Sequence, residues 1–499
     1  MGRKLLIIIS LLSGIAAAAD SADWSQLAET DLRAVHSAVD EHHPGPLDRL
    51  NSDFRNWQER GLAQALNLAK RATNAGGYEY AVRYYVNGFQ DGHLSIAFDE
   101  QTDTHLWPGF IIALREDKFI VHSVTDNPEL FKNLPPPTAQ LLACDGTPVR
   151  ALLEQNVMPY TGKAFLPSDW LRLAPQLLMD SGNPFIERPR ECRFRYKGRT
   201  FKQMLDWQPA TTDAVSEKLA RAGLGKRGSV SLKRLEDGGM WVQLPSFNMS
   251  GAHADDMEKV IDELSWHRAA PYIIVDVRGN GGGSSHWALH FVKRLYGDAY
   301  ADYIQTMAET TGSYTEYRVS PENVAHFESM LPGMRERAGE NSDFYRYFKK
   351  VAQGMRTALE NGEAFYRDHD PSKNTTITDV EKPKSEYAGM LYFLTDGYCA
   401  SACLDFADVA HMLPDMIHVG QHTSADTVYM EVRSIPLPSG RGRLNIATKV
   451  IRDRPRGHNE YYTPRHIYTG DIWNTEKVAE WLMGIIHGRK KPAPIKTKS

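Results

Sequence analysis

A chain of 499 residues is too long for one ordinary domain, so two or three are expected, with ample length for buried cores. The net charge of −4, with signs mixed along the chain and no basic run interleaved with aromatics, excludes a nucleic-acid-binding signature. Partners must be sought elsewhere.

Taken in order, the chain opens with Arg3 and Lys4, an apolar run from Leu5 to Ile15, and then Ala16 to Ala19. That is the three-part pattern of a secretory signal peptide, residues 1–19, cleaved near Ala19. The run is short for a membrane-spanning helix, and no later stretch is long and apolar enough to span. An exported protein, periplasmic or secreted, with no stable membrane span in its mature form is therefore expected. Residues 20–98 form a helical region: Leu32, Val35 and Val39, then Leu62, Ala65, Leu66 and Ala69, recur on helix faces, with Pro44, Gly45 and Pro46 as a break. It ends in NGFQDGHLSIAF, where Leu94, Ile96 and Phe98 alternate with His93, Ser95 and Ala97 and begin a strand.

Residues 105–165 read as a compact β-rich module, with strands near 109–114 and 119–124, prolines at 135–137, and an Asp-Gly turn in AQLLACDGTPVRALL. Residues 166–228 form a connecting segment with strand signals near Cys192 and Thr200, closing in a linker at 223–228. From 229 to 490 the pattern alternates. MWVQLPSF is a strand, 255–264 a helix, YIIVDV a wholly apolar strand, and 286–296 a helix after the glycine-rich DVRGNGGG, Asp276 to Gly283. Such alternation implies βαβ units with right-handed crossovers and a largely parallel sheet. An insert, 299–387, is charged, aromatic and mostly helical near 344–359, with SKNTT at 372–376 as loop. A cap of this kind beside a catalytic edge gates substrate when it is more than a solvated surface.

The second βα unit is LYFLTDGYCASACLDFADVAHML, Leu391 to Leu413. An apolar strand is broken by Thr395, Asp396 and Gly397, and helical spacing starts at Ala402, so Ser401 sits where strand turns into helix. A serine there is either an N-cap or a nucleophile whose tetrahedral intermediate is met by the free N–H groups of the helix. Both glycine turn and serine turn should lie at the carboxyl edge of one sheet. DVRGNGGG fails as a phosphate loop, having no GKS or GKT ending and no GxGxxG followed by an acidic residue. It serves better as an oxyanion partner, the N–H of Gly281 or Gly282 acting with that of Ala402. Cys399 and Cys403 flank Ser401, and Cys144 and Cys192 lie far away; either pair can be oxidised in an exported chain, and neither shows zinc-ligand spacing.

The pair "strand, DVRGNGGG, helix" and "strand, TDGYCASAC, helix" resembles the tail-specific or C-terminal-processing serine peptidases, a family that includes the tricorn core and the repeats of retinoid-binding proteins. The resemblance implies an α/β (α+β multidomain) fold: a ClpP/crotonase-like βαβ core, a helical amino-terminal region and a degenerate PDZ-like β module that binds extended peptide by strand addition. It implies Ser401 as nucleophile. Many members use a lysine near the position of Asp426, but no lysine occurs between Ser401 and Lys449, so a serine and lysine dyad looks excluded. The tricorn-like branch uses a histidine from a DGH motif and a distant glutamate, matched here by His93 and by Glu460 in RGHNEYYTP. Imidazole supplies a base of suitable pKa unaided, and an acid on its far nitrogen, directly or through a bridging hydroxyl, would fix the tautomer.

Rival bases are His422, His458 and His466, while His286 and His290, at helical spacing without a further ligand, read as helix surface. The expectation is a serine peptidase acting on a peptide or protein substrate through an acyl-enzyme, with no metal or cofactor. The alternative is a carrier or ligand-binding protein that keeps the fold without turnover.

Overall fold

Asp23, Asn51 and Asn74 each accept a hydrogen bond from the first turn of the helix they precede, and so start Trp24–His42, Ser52–Ala69 and Ala75–Asn87. The computed structural model describes residues 23–99, 104–224, 228–309, 312–368 and 380–488; residues 1–19, expected to be a signal peptide, and the SKNTT stretch lie outside them. The three helices bury Leu32, Val35, Val39, Ala65, Tyr78, Val82 and Tyr85 against Leu444, Ile446, Ala447 and Val450 of a long strand, Gly442–Arg452. The helical region is thus one face of an antiparallel sheet.

That sheet is what connects the early chain to the core. Ser95–Phe98 pairs with the amino-terminal part of Gly442–Arg452, Ser95 opposite Asn445 and Phe98 opposite Gly442. Tyr429–Pro436 pairs along the other side of the same strand. The insert contributes here as well: Tyr314–Arg318 and Phe365–Arg367 join the sheet, and the helices Pro321–Ala338 and Asp343–Glu360 pack over them. The insert is therefore more than a helical cap. Its strands were not readable because each is only three to five residues long, with polar residues between the apolar ones.

The core is a six-stranded sheet in the order Ser231–Arg234, Met240–Gln243, Tyr272–Asp276, Met390–Thr395, Met416–Gly420, His466–Ile467, parallel except for its first pair. Alternate residues face opposite sides, as the pleat requires. Ile273, Val275, Leu391 and Phe393 pack on the helices Gly251–Glu263, His286–Tyr296 and Ala402–Ala410, while Tyr272, Ile274, Tyr392 and Leu394 pack on Thr475–Ile486. The βαβ expectation for this region holds. No helix of the described residues is long and apolar enough to cross a membrane.

The β module is larger than its sequence suggests. Phe110–Arg115, Lys118–Val124, Gln140–Cys144, Glu191–Tyr196 and Arg199–Met204 form one antiparallel sheet, and Thr104–Trp107 pairs with Gln208–Thr211. Strands of the segment 166–228 thus join the strands before 165, the last of them ending at Thr211. In Glu191–Tyr196, buried Cys192 and Phe194 alternate with exposed Arg193 and Arg195. Such alternation marks a strand without saying which earlier strand it will join.

Both cysteine pairs are disulfides, Cys144–Cys192 across two strands of the module and Cys399–Cys403 around Ser401. The first closes a sequence separation of 48 residues, for which the chain-entropy estimate is about 4 kcal/mol. C144A/C192A is expected to lose about that much stability in urea unfolding, with the loss confined to the transition that reports the β module.

Candidate active site

The carboxyl ends of two neighbouring parallel strands set the nucleophile loop. Asp276 stands opposite Leu394 in register, so the turns that follow emerge at one edge of the sheet. Asp276 and Arg278 form a fully buried bidentate pair, with Arg278 Nη2 to Asp276 Oδ2 at 2.6 Å, and Arg278 Nη1 donates to the Ile472 carbonyl. The entrance of the glycine turn is thereby fixed. Asp396 then joins the two turns, its carboxylate accepting from Gly279 N–H at 3.0 Å and Tyr398 N–H at 3.1 Å. Burial drives that carboxyl up to about 7, against the pull of the two N–H donors.

Ser401 follows in a left-handed conformation, φ +54° and ψ −128°, immediately before the helix Ala402–Ala410. Such a backbone is unfavourable for a residue with a Cβ and persists only where the surroundings hold it. Here they do. Phe406 of the helix is wedged among Phe247, Phe291 and Phe393, and the Cys399–Cys403 disulfide spans the turn. Ser401 makes no side-chain capping bond to its helix, so the N-cap reading is not what the structure shows.

The glycines are required by close approach. A Cβ on Gly282, at φ +101°, would lie 2.7 Å from the Ala400 carbonyl and from Ser401 Cβ; one on Gly283 would meet the Phe247 carbonyl. Of the two expected oxyanion donors in this turn, Gly282 spends its N–H on Asn280 Oδ1 at 2.9 Å. Gly281 remains. Among the described residues neither Gly281 N–H nor Ala402 N–H has an acceptor, and Gly281 lines the cleft with Ser401.

His93 enters that cleft, of about 610 Å³, from the antiparallel half of the molecule. Its own N–H donates to Asp91 Oδ1 at 2.9 Å, the Asx turn that the Asp-Gly-His sequence permits. Asp91 is wholly buried and receives two more donors, Thr427 Oγ1 at 2.7 Å and His43 Nε2 at 3.0 Å. Gly45 N–H donates to His43 Nδ1, so His43 carries its proton on Nε2 and points it at Asp91. Burial alone would raise the Asp91 carboxyl; the hydrogen bonds of His43 and Thr427 and the field of the neighbouring imidazoles hold it at about 2. Ser401 and His93 face one space without hydrogen-bonding each other.

Glu460 is not in the cleft. Its carboxylate is exposed and accepts from Gly457 N–H at 2.6 Å, while its backbone bridges Asp426. The neighbouring Asn459 takes the inward position, donating to the Gln90 carbonyl at 3.0 Å and accepting from Lys163 Nζ at 2.7 Å. His422 and His466 line a different cavity, and His458 is exposed beside Asn51 and Asn459. His290 lies 3.3 Å from Glu258 and 3.2 Å from Asp262 on the neighbouring helix, away from the cleft.

Two cleft residues were given no role by the sequence. Lys163 arrives from beyond the β module and is half-buried; burial lowers its pKa, and Asp91, Asp426 and Asp169 oppose that shift. Its Nζ donates to Asn459 and to the Ala425 carbonyl, which suits a fixed cation rather than a base. Asp426 is 4 % exposed and leaves one carboxylate oxygen buried without a partner.

Residues 240–460 match the peptidase family S41. The matched stretch carries both turns of the α/β core and is similar to the peptidase domain of that family. No curated protein matches the chain by sequence. Among solved structures, that of mature CPAF is 14% identical, with 94% of this chain and 99% of that chain covered at a TM-score of 0.59. Mature CPAF complexed with lactacystin gives 14% identity, 93% and 99% coverage and 0.58. The fold of the S41 core and of the regions around it is thus shared nearly end to end. The match supports a serine peptidase, a hydrolase of peptide or protein substrates.

Two measurements check this geometry. G282A should retain the fold and lose at least about 100-fold in kcat, the scale of one oxyanion donor, because the added methyl displaces the Ser401 turn. For Asp91 the folded pKa, about 2, lies below its ordinary 3.8. Its contribution is therefore present above pH 4 and lost as pH falls through 2. D91N should cost about 2 kcal/mol at pH 7, a gap that closes toward pH 2 in a urea-unfolding series.

Proposed function

We propose that the protein is an exported serine peptidase in which Ser401 attacks the scissile carbonyl and His93 moves the proton. The observation that carries this reading is the strained Ser401 backbone, aimed into a cleft shared with an imidazole and flanked by two N–H groups with no acceptor among the described residues. A carrier has no use for strain held at a hydroxyl. The hydroxyl proton passes to His93 as Oγ bonds to the carbonyl carbon, and the oxyanion is received by Gly281 N–H and Ala402 N–H at the positive end of the helix. The imidazolium then protonates the leaving amine, and water repeats the cycle on the acyl-enzyme.

In a Ser-His-Glu site Glu460 would polarise His93. Its observed place on Gly457 N–H supports instead a role in holding the 457–460 turn, which sets Asn459 on Gln90 and pairs with Asp426. The sheet that includes Gln140–Cys144 and Glu191–Tyr196 supplies the PDZ-like reading, with extended peptide as its ligand. Export rests on the amino-terminal pattern and agrees with two disulfides.

A fluorophosphonate probe tests the reading directly. Wild-type protein should be labelled at Ser401, S401A should not, and H93A should label at least about 1,000-fold more slowly. Absence of labelling in the wild type across pH 5 to 9 would leave the carrier reading in possession.

A further inference from the structure

We propose that Asp426 is the positioning residue for His93, its carboxylate accepting the Nδ1 proton so that Nε2 is left to take the hydroxyl proton of Ser401. This rests on the peptidase reading above and names the third member of its site. The starting observation is a matched pair of deficiencies: His93 Nδ1 and Asp426 Oδ2 are both buried and both without a hydrogen-bond partner. One is an imidazole nitrogen able to donate, the other a carboxylate oxygen able only to accept. Both residues line the cleft that holds Ser401.

Their proximity follows from Asp91. A single oxygen, Oδ1, accepts from the His93 N–H and from the hydroxyl of Thr427, the residue after Asp426. The 426–427 segment is therefore docked on the turn that carries the imidazole. Nδ1 is the buried nitrogen of the ring, which leaves Nε2 toward the open cleft. The proposal requires the bond from Nδ1 to Oδ2 to close, directly or through one water, when the site is engaged.

The other acids near the ring are already engaged. Asp91 holds three donors, and Asp169 accepts from Lys163 N–H and from Arg172. Glu460 is exposed on Gly457. The cations in the neighbourhood are Lys163, Arg83 and Arg172 in the cleft and Arg454 and Arg456 behind Asp426, with Asp405 as the opposing charge. In the reaction the Ser401 proton goes to Nε2, the Nδ1 proton stays on the ring facing Asp426, and the carboxylate balances the imidazolium until the amine departs with the Nε2 proton. Nothing is consumed but water.

The test compares second-order rates of fluorophosphonate labelling of the full-length protein from pH 5 to 9. D426N should label at least about 100-fold more slowly, with the acid limb of the profile displaced to lower pH, because the imidazolium has lost its anion; D426E should recover most of the rate. A merely structural role would lower the rate without moving the limb. D426N with wild-type rate and limb, or the same loss and displacement in E460Q, overturns the assignment while leaving the peptidase reading intact. No labelling of wild type overturns both. Should D426N fail to fold by circular dichroism, the ¹⁵N-histidine spectrum of the wild type decides: a neutral His93 protonated on Nδ1 supports Asp426, and one protonated on Nε2 overturns it.

Discussion

A buried carboxylate, that of Asp91, is the constraint on which the site depends. It gathers His43 from the first helical region, the main chain of His93, and Thr427 from the core segment after the serine turn. These groups are far apart in sequence and meet on two oxygen atoms. An ionised carboxylate in such a place is stable only because three donors replace the water it has lost. Withdrawing any of them would leave a buried charge short of a partner, so the imidazole, its turn and the 426–427 segment are held as one piece.

The nucleophile is held by separate means. Asp396 ties the glycine turn to the serine turn, the Asp276 and Arg278 pair anchors the first, and the Cys399–Cys403 disulfide with the Phe406 aromatic cluster anchors the second. Base and nucleophile therefore belong to two rigid halves, one antiparallel and one parallel. What joins the halves across the cleft is polar: Asn459 to Gln90, and Lys163 to Asn459 and Ala425. Polar contacts at a cleft give way more readily than packed apolar ones, which suits a site whose proton-transfer bond tightens only on a bound substrate.

The parts of this arrangement that were legible in the sequence are those encoded locally. DVRGNGGG and TDGYCASAC each contain a strand end, a turn and a helix start within a dozen residues, and the structure sets both at one sheet edge. His93 was legible through its motif, because Asp91 forms its Asx turn two residues away. Glu460 shows the limit: chain position placed the right loop at the cleft, but in the 457–460 turn, with Asn459 at φ +56°, Asn459 faces in while Glu460 faces out. Lys163 and Asp426 were illegible for a different reason. A lone charged residue reads as solvated surface, and only the tertiary fold reveals that two such residues, distant in the chain, line one cleft, Asp426 buried and Lys163 half-buried.

The burial of Lys163 beside Asp426 bears on how much the carboxylate can do for the imidazole. An anion shared with a fixed ammonium stabilises an imidazolium less than a free one would, since part of its field is already neutralised. The geometry reduces that competition. Lys163 Nζ spends its hydrogen bonds on Asn459 and on the Ala425 carbonyl and none on Asp426, so the two share charge at a distance but no proton. Asp426 Oδ2 is left for a directional bond. The cation then lies beside the carboxylate without occupying the oxygen that the ring requires. Charge balance and hydrogen-bond direction are supplied by different neighbours, which leaves a buried acid open as an acceptor.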